Sequence, residues 1–259
     1  MDLAVENYCN DIWPLVYEPY YAEDHAREFP FYSAVAAERP GPVLEVGSGT
    51  GVLFYKLLRG GVDVQGIDVS PTMLDALYRA ARDDDERVQA LQRVRMQDMT
   101  ALDLETRFSQ ILVPARAFLH VAALEAQLAT LRGFHAQLAE GGRLALNFFV
   151  PDLQQILDAH RSPQEEPFDA FVHPRSGAPI ELTIRREVPD LSAQRFIVTW
   201  RFRWEDQERV TRMDLRWVHR DEFELMLRLA GFRCWKLFGE NDRSGFGPHS
   251  NEMFWLVEK

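Results

Sequence analysis

Lysine is scarce: of 29 basic residues only Lys56, Lys236 and Lys259 are lysines, a bias we attribute to the codon usage of a GC-rich genome. Basic residues as a whole are also outnumbered, 29 against 40 acids, for a formal net charge of −11. A protein that binds a phosphate backbone displays clustered Lys and Arg to displace counterions, so nucleic acid is not an expected partner. The two cysteines, Cys9 and Cys234, are too few for a disulfide framework or a four-ligand zinc site, and a reducing compartment fits them. Long apolar runs are missing too. The stretch at 144–150 is far too short to cross a bilayer and contains Asn147. The first residues, MDLAVENYCNDIW, carry acids where a secretory leader needs a basic patch and an unbroken apolar stretch. These absences together point to a cytoplasmic protein with no membrane association.

What remains is ample for a packed core: 259 residues, 46% hydrophobic and 12% aromatic. Residues 1–40 are aromatic, acidic and interrupted by Pro14, Pro19 and Pro30, which predicts short helices forming an N-terminal lid. From 41 to 150, short β-branched runs (VLEV at 43–46, VQGIDV at 64–69, VRMQDM at 94–99, QILV at 110–113, RLALNFFV at 143–150) alternate with helical segments, one of them over 124–140. Such alternation predicts βαβ crossovers and a parallel sheet. Across 151–219 a proline-rich connector precedes three long runs at 180–188, 194–204 and 209–219 that alternate apolar with charged residues. They predict a three-stranded antiparallel insertion. Residues 220–259 supply a helix ended by Gly231 and two final strands that complete the core sheet. DDDER at 83–87 reads as a solvated loop.

The strongest local signal is VLEVGSGTG at 43–51, a strand that enters a glycine-rich turn and opens a helix. Glycine serves where the backbone takes positive φ or where a ligand lies on the main chain, and the following helix start offers unpaired N–H groups. No Gly-Lys-Ser/Thr follows, which excludes the phosphate-binding P-loop, and the spacing GxGxG departs from the dinucleotide fingerprint GxGxxG, which disfavours a nicotinamide oxidoreductase. Asp68 closes the next strand about twenty residues on, where a doubly wound sheet places an acid for ribose hydroxyls. Asp98 closes the third strand. Glu45, Asp68 and Asp98, one acid on each of three consecutive strands, favour a nucleoside-containing ligand with a cationic or neutral end over a diphosphate.

These motifs resemble those of the class I S-adenosylmethionine-dependent methyltransferases: VLEVGSGTG is similar to the family's first motif, GIDVSPTML to its second and MQDMTALDL to its third. The resemblance covers essentially all of 40–150. It implies a Rossmann-like doubly wound α/β sheet, S-adenosylmethionine as cofactor and S-adenosylhomocysteine as product. Gly47, Ser48 and Gly49, within the turn completed by Gly51, would lie against the methionine part, with Glu45 near its ammonium or holding the loop. Asp68 would bind the ribose, Val69 and Met73 would pack on the adenine, and Asp98 with Met99 would read its amino edge. VYEPYYAEDH and ILVPARAFLHV are similar to small-molecule methyltransferases, including amino-sugar N,N-dimethyltransferases, which implies Tyr17 as a cover over the cofactor and His120 facing the acceptor. The acid common at the start of the fourth strand is replaced around Ser109 and Gln110, and no Asn-Pro-Pro-Tyr type segment is present.

Methyl transfer from a sulfonium is an in-line substitution in which alignment supplies much of the acceleration. His120 is either a base for the departing proton or a substrate-orienting or packing residue. Arg116 either clamps an acidic acceptor or pairs with an acid of the lid such as Glu18 or Glu23. Trp200, Phe202 and Trp204 either cover an apolar pocket or pack the small sheet on the large one. Asn251, Glu252 and Met253, before the last strand, are expected to approach the acceptor. The expected activity is methylation of a small-molecule nitrogen or oxygen; the alternative is a non-catalytic S-adenosylmethionine-binding subunit. The insertion also offers a surface for homodimerisation.

Overall fold

The computed structural model describes residues 11–82, 90–173 and 175–259; the predicted loop at 83–87 lies outside them. Eleven strands form two sheets among the described residues. In the larger, β1 (Val43–Val46), β2 (Val64–Asp68), β3 (Val94–Met96), β4 (Phe108–Val113) and β5 (Leu138–Phe149) run parallel. They are joined by antiparallel β10 (Cys234–Phe238) and β11 (Glu252–Glu258) in the order β10-β11-β5-β4-β1-β2-β3.

Helices cover both faces, so the central strands are buried on both sides. Alternation along β5 makes this explicit: Leu144, Leu146 and Phe148 enter one core cluster while Ala145 enters the other. The first cluster packs under α5 (Leu124–Gln137) and α7 (Arg220–Ala230), the second under α2 (Ala22–Ala37), α3 (Val52–Arg59) and α4 (Pro71–Ala80). Gly231 ends α7 at φ +105°, the left-handed cap that the sequence predicts.

Pro30 does not break the arm as expected. It lies inside the sixteen-residue α2, whose buried Phe29, Phe31, Tyr32 and Val35 pack on the sheet, and that burial outweighs one lost backbone hydrogen bond. Thus α2 is a core layer, and the short α1 (Trp13–Tyr20) alone reaches across toward the second sheet.

The second sheet has four strands where three are predicted: β6 (Glu165–Val172), β7 (Pro179–Glu187), β8 (Arg195–Trp204) and β9 (Gln207–Arg216), all antiparallel. The extra strand β6 falls in the stretch read as a connector. It accommodates Pro167 because it is an edge strand with a register shift between Pro167 and Asp169. Trp200, Phe202 and Trp204 are buried on one face, in a cluster with α1 and with Ile156 and Ala159 of α6 (Leu153–Arg161), against which Phe149 of the large sheet also packs. Trp13 meets Trp200 and Phe202 edge-on, at ring-centroid distances of 5.4 and 5.2 Å. Arg216 docks the insertion on the core, donating to Gln127 (2.8 Å) on α5 and to Glu222 (2.5 Å) on α7. No helix among the described residues is long and apolar enough to cross a membrane.

Candidate active site

A cavity of about 520 Å3 opens at the carboxyl ends of the parallel strands, the edge where an open α/β sheet places its ligands. Its floor is the glycine turn after β1. Gly51, at φ +89°, ends the turn where a Cβ would lie 2.9 Å from both Leu77 and Tyr55, so the helix start can approach α4 only with glycine there. Gly49, at φ +55°, faces Met73 Cε and Tyr17 Cε1, which would stand 3.5 and 3.9 Å from an added Cβ. Tyr17 of α1 and Met73 of α4 therefore close over the turn.

Asp68, at the end of β2, organises this floor. Its Oδ2 accepts the Gly49 N–H and its Oδ1 the Ser70 N–H, both at 2.8 Å. Burial raises its pKa, and these backbone donors counteract the rise. The Val69 N–H adds a third backbone donor, and since a carboxylate has about four lone-pair sites, capacity remains for a hydroxyl of a ligand. Behind the turn Glu45 is 1% exposed, and its Oε2 has no hydrogen-bond partner among the described residues. Burial, then the charge of Asp68, push its pKa well above the carboxylate range. An orphaned acid oxygen beside a second acid suits a ligand that brings positive charge. On the far side Asp98 caps a short turn, accepting the Thr100 N–H and hydroxyl at 2.8 Å through Oδ1, and it lines the cavity with Met99.

The wall beyond β4 is built by residues 114–117 and the 3-10 turn Ala117–His120. His120 faces the cavity, and burial lowers its pKa to about 4, partly opposed by Asp214. Its imidazole is therefore neutral near pH 7. Asp214 of β9 and Arg195 of β8 line the same cavity and are ion-paired, with Arg195 Nε 3.2 Å from Asp214 Oδ1.

One cavity thus gathers Tyr17, Gly47, Gly49, Asp68, Val69 and Met73, and adds Asp98, Met99 and His120. Glu45, Ser48, Gly51 and Arg116 stand outside its lining. Ser48 turns its hydroxyl back to the Glu45 carbonyl at 3.4 Å. Arg116 meets acids of the chain itself: Glu252 (Nε to Oε1, 2.8 Å), Glu28 and Asp24 (both 3.8 Å), in place of the predicted Glu18 or Glu23. Trp200, Phe202 and Trp204 do not line the cavity. Asp214 and Arg195 escape sequence reasoning because the docking of the insertion brings them there; the one local trace is Asp214 buried next to buried Met213, which breaks the alternation of β9. Ser109 and Gln110 lie at the amino end of β4, away from the cavity. Ser109 Oγ donates to the Pro42 carbonyl (3.0 Å) and Gln110 Nε2 to that of Ala36 (3.1 Å), so their departure from the family pattern serves packing.

The model of a methyltransferase domain matches residues 43–142, the span of the glycine turn, Asp68, Asp98 and His120. The cypemycin N-terminal methyltransferase of a Streptomyces species is 24% identical over 87% of this chain and 87% of its own. The CcbJ methyltransferase from Streptomyces caelestis superposes with a TM-score of 0.72 at 25% identity, over 90% of this chain and 94% of its own. CalS10 from Micromonospora echinaspora, an amino pentose methyltransferase solved with S-adenosylmethionine, gives 0.61 at 18% identity, over 94% and 97%. Fold, motifs and a cavity suited to a cationic nucleoside agree: residues 43–142 match a methyltransferase domain, and over most of its length the chain is similar in fold to solved methyltransferases, S-adenosylmethionine-bound CalS10 among them.

Proposed function

We propose that the chain methylates a nitrogen of a small-molecule amine. The observation that carries this reading is the charge of the cavity: among the described residues its acids are Asp68, Asp98 and Asp214, and its one cation, Arg195, is committed to Asp214. Arg116, the candidate clamp for an acidic acceptor, is held by Glu252 and Glu28. Carboxylate or phosphate acceptors would be repelled here, whereas an amine suits these walls. Relatives named for amino acceptors, the peptide N-terminus and an amino pentose, point the same way.

S-adenosylmethionine, when bound, supplies a methyl group on a positively charged sulfur. Asp68 would take the ribose hydroxyls, Val69 and Met73 the adenine face, Asp98 and Met99 its amino edge, and Gly47 and Gly49 the amino-acid portion, with Glu45 behind them. Tyr17 closes this end against water. At the other end Val121, Ala122 and Ala123 form an apolar wall. Burial there lowers the pKa of an incoming ammonium and favours the free base, the form with a lone pair to donate. Neutral His120 offers a ring nitrogen to the amine N–H, aims the lone pair along the transfer line and receives or relays the proton lost as the new C–N bond forms. Homodimerisation through the insertion belongs to the same proposal, though its aromatic face is covered by α1 and only its outer strands, with exposed Phe168, Val172 and Val210, are available.

Incubation with S-adenosylmethionine and a panel of amines, alcohols and carboxylic acids, read by mass spectrometry, tests the reading. Products carrying one added methyl on nitrogen are expected. Methylated alcohols or acids with no methylated amine contradict it.

A further inference from the structure

The segment that joins β4 to His120 is strained. Ala115 and Arg116 are consecutive non-glycine residues at φ +54° and +61°, a region that L side chains rarely adopt and that persists only where surroundings impose it. The surroundings are a buried polar cluster beneath the cavity wall. Glu28 of α2, 1% exposed, accepts the Ala115 N–H through Oε2 at 3.2 Å. Arg116 donates to Glu252 of β11 and stands 3.8 Å from Glu28. Asn147 of β5 donates to Glu252 at 3.3 Å and accepts the Tyr32 hydroxyl at 2.5 Å. Pro114, Ala115 and Ala117 line the cavity, and Ala117 Cβ would stand 3.2 Å from a Cβ added at Gly47. The strained pair therefore sits between this cluster and the glycine turn.

We propose that Glu28 is a positioning residue that holds segment 114–117 against the glycine turn, making closure of the cavity on the donor dependent on the charge of a carboxyl group in α2. This rests on the cavity being the donor site. Two buried acids, Glu28 and Glu252, share one guanidinium, so the cluster is neutral when Glu28 carries a proton. The groups facing Glu28 are Asp24 and Tyr32 on its own helix, Arg116 on the loop, Asn147 on β5 and Glu252 on β11; Arg27 acts on Glu252 from α2. Burial first, and the negative charges of Glu252 and Asp24, push the Glu28 pKa up to about 7 against the pull of Arg116. An open loop would hydrate Glu28 and return it toward the ordinary carboxylate range, so proton loss favours opening.

Calorimetric titration with S-adenosylhomocysteine between about pH 6 and 8.5 tests this on the unaltered chain, E28Q and E28A. Glutamine keeps the acceptor for Ala115 and stays neutral. E28Q is expected to bind within about threefold of the unaltered chain at pH 6 and at least threefold tighter at pH 8.5. E28A, which loses the acceptor, is expected to bind about tenfold more weakly at pH 6. The ratio of E28Q to unaltered affinity cancels titration of Glu45, Asp68 and the ligand, and it decides alone if E28A does not fold. A ratio constant across pH overturns the proposal while leaving the donor site intact; absence of binding by the unaltered chain overturns both.

Discussion

Asp68 accepts the backbone N–H of Gly49 at 2.8 Å, so the acid that closes β2 also fixes the turn that follows β1. Its second oxygen holds the start of α4 through Ser70. Removing the carboxylate should at once loosen the turn and, on the proposed reading of the cavity, remove the acceptor for the ribose hydroxyls. D68A is expected to lose about 1–3 kcal/mol of stability, as for a lost charge-assisted hydrogen bond, and most of the rise in Tm produced by S-adenosylhomocysteine. D68N, which retains an acceptor, should keep more of the first than of the second. Differential scanning fluorimetry with and without ligand separates the two effects.

Gly51 tests the floor of the cavity independently of charge. A side chain there meets both positive φ and carbon atoms 2.9 Å away on Leu77 and Tyr55. G51V should destabilise the fold by about 2–4 kcal/mol, seen as a lower urea midpoint, whereas G61A, at a glycine with open space around it, should lose less.

Glu28 predicts a pH dependence of stability. Its folded pKa, pushed by burial from 4.5 up to about 7, lies above its unfolded value. Its contribution is therefore complete below the ordinary carboxylate range and is lost as pH rises through about 7, amounting to on the order of 3 kcal/mol. Urea denaturation of the unaltered chain should show this decline between about pH 5 and 8, and E28Q should flatten it. An equal slope in both would assign the decline elsewhere.

His120 has a pKa lowered to about 4, so it is neutral across the physiological range and its titration should leave no inflection in kcat between about pH 6 and 8. H120A should reduce kcat by roughly ten- to a hundredfold while donor affinity changes less than about threefold. H120N, which keeps a hydrogen-bonding group, should recover part of kcat if orientation dominates. Equal losses of kcat and donor affinity would make His120 a packing residue.

Sequence made the proposed donor half of the site legible because its determinants are local. The glycines, Asp68 and Asp98 are fixed by strand ends and by the turns that follow them, and Gly47, Gly49, Asp68 and Asp98 line one cavity. The acceptor half was not legible, since Asp214 and Arg195 come from strands whose docking on the core depends on Arg216, Gln127 and Glu222. Arg116 shows the same limit: its charge was visible, but its partners Glu28 and Glu252 are 88 and 136 positions away. Strand β6 was hidden by Pro167, which marks a turn locally and is tolerated at a sheet edge. Pro30 misled in the opposite direction, because only the finished core shows how much apolar surface α2 buries.

The central claim, that the cavity over Gly47 and Gly49 is the donor site of a methyltransferase, is tested most directly by calorimetric titration of the unaltered chain with S-adenosylhomocysteine and, separately, with NAD. Saturable one-to-one binding of the first with a Kd on the order of micromolar, and none of the second, is the predicted result. Failure to bind S-adenosylhomocysteine, or equal affinity for NAD, would contradict it.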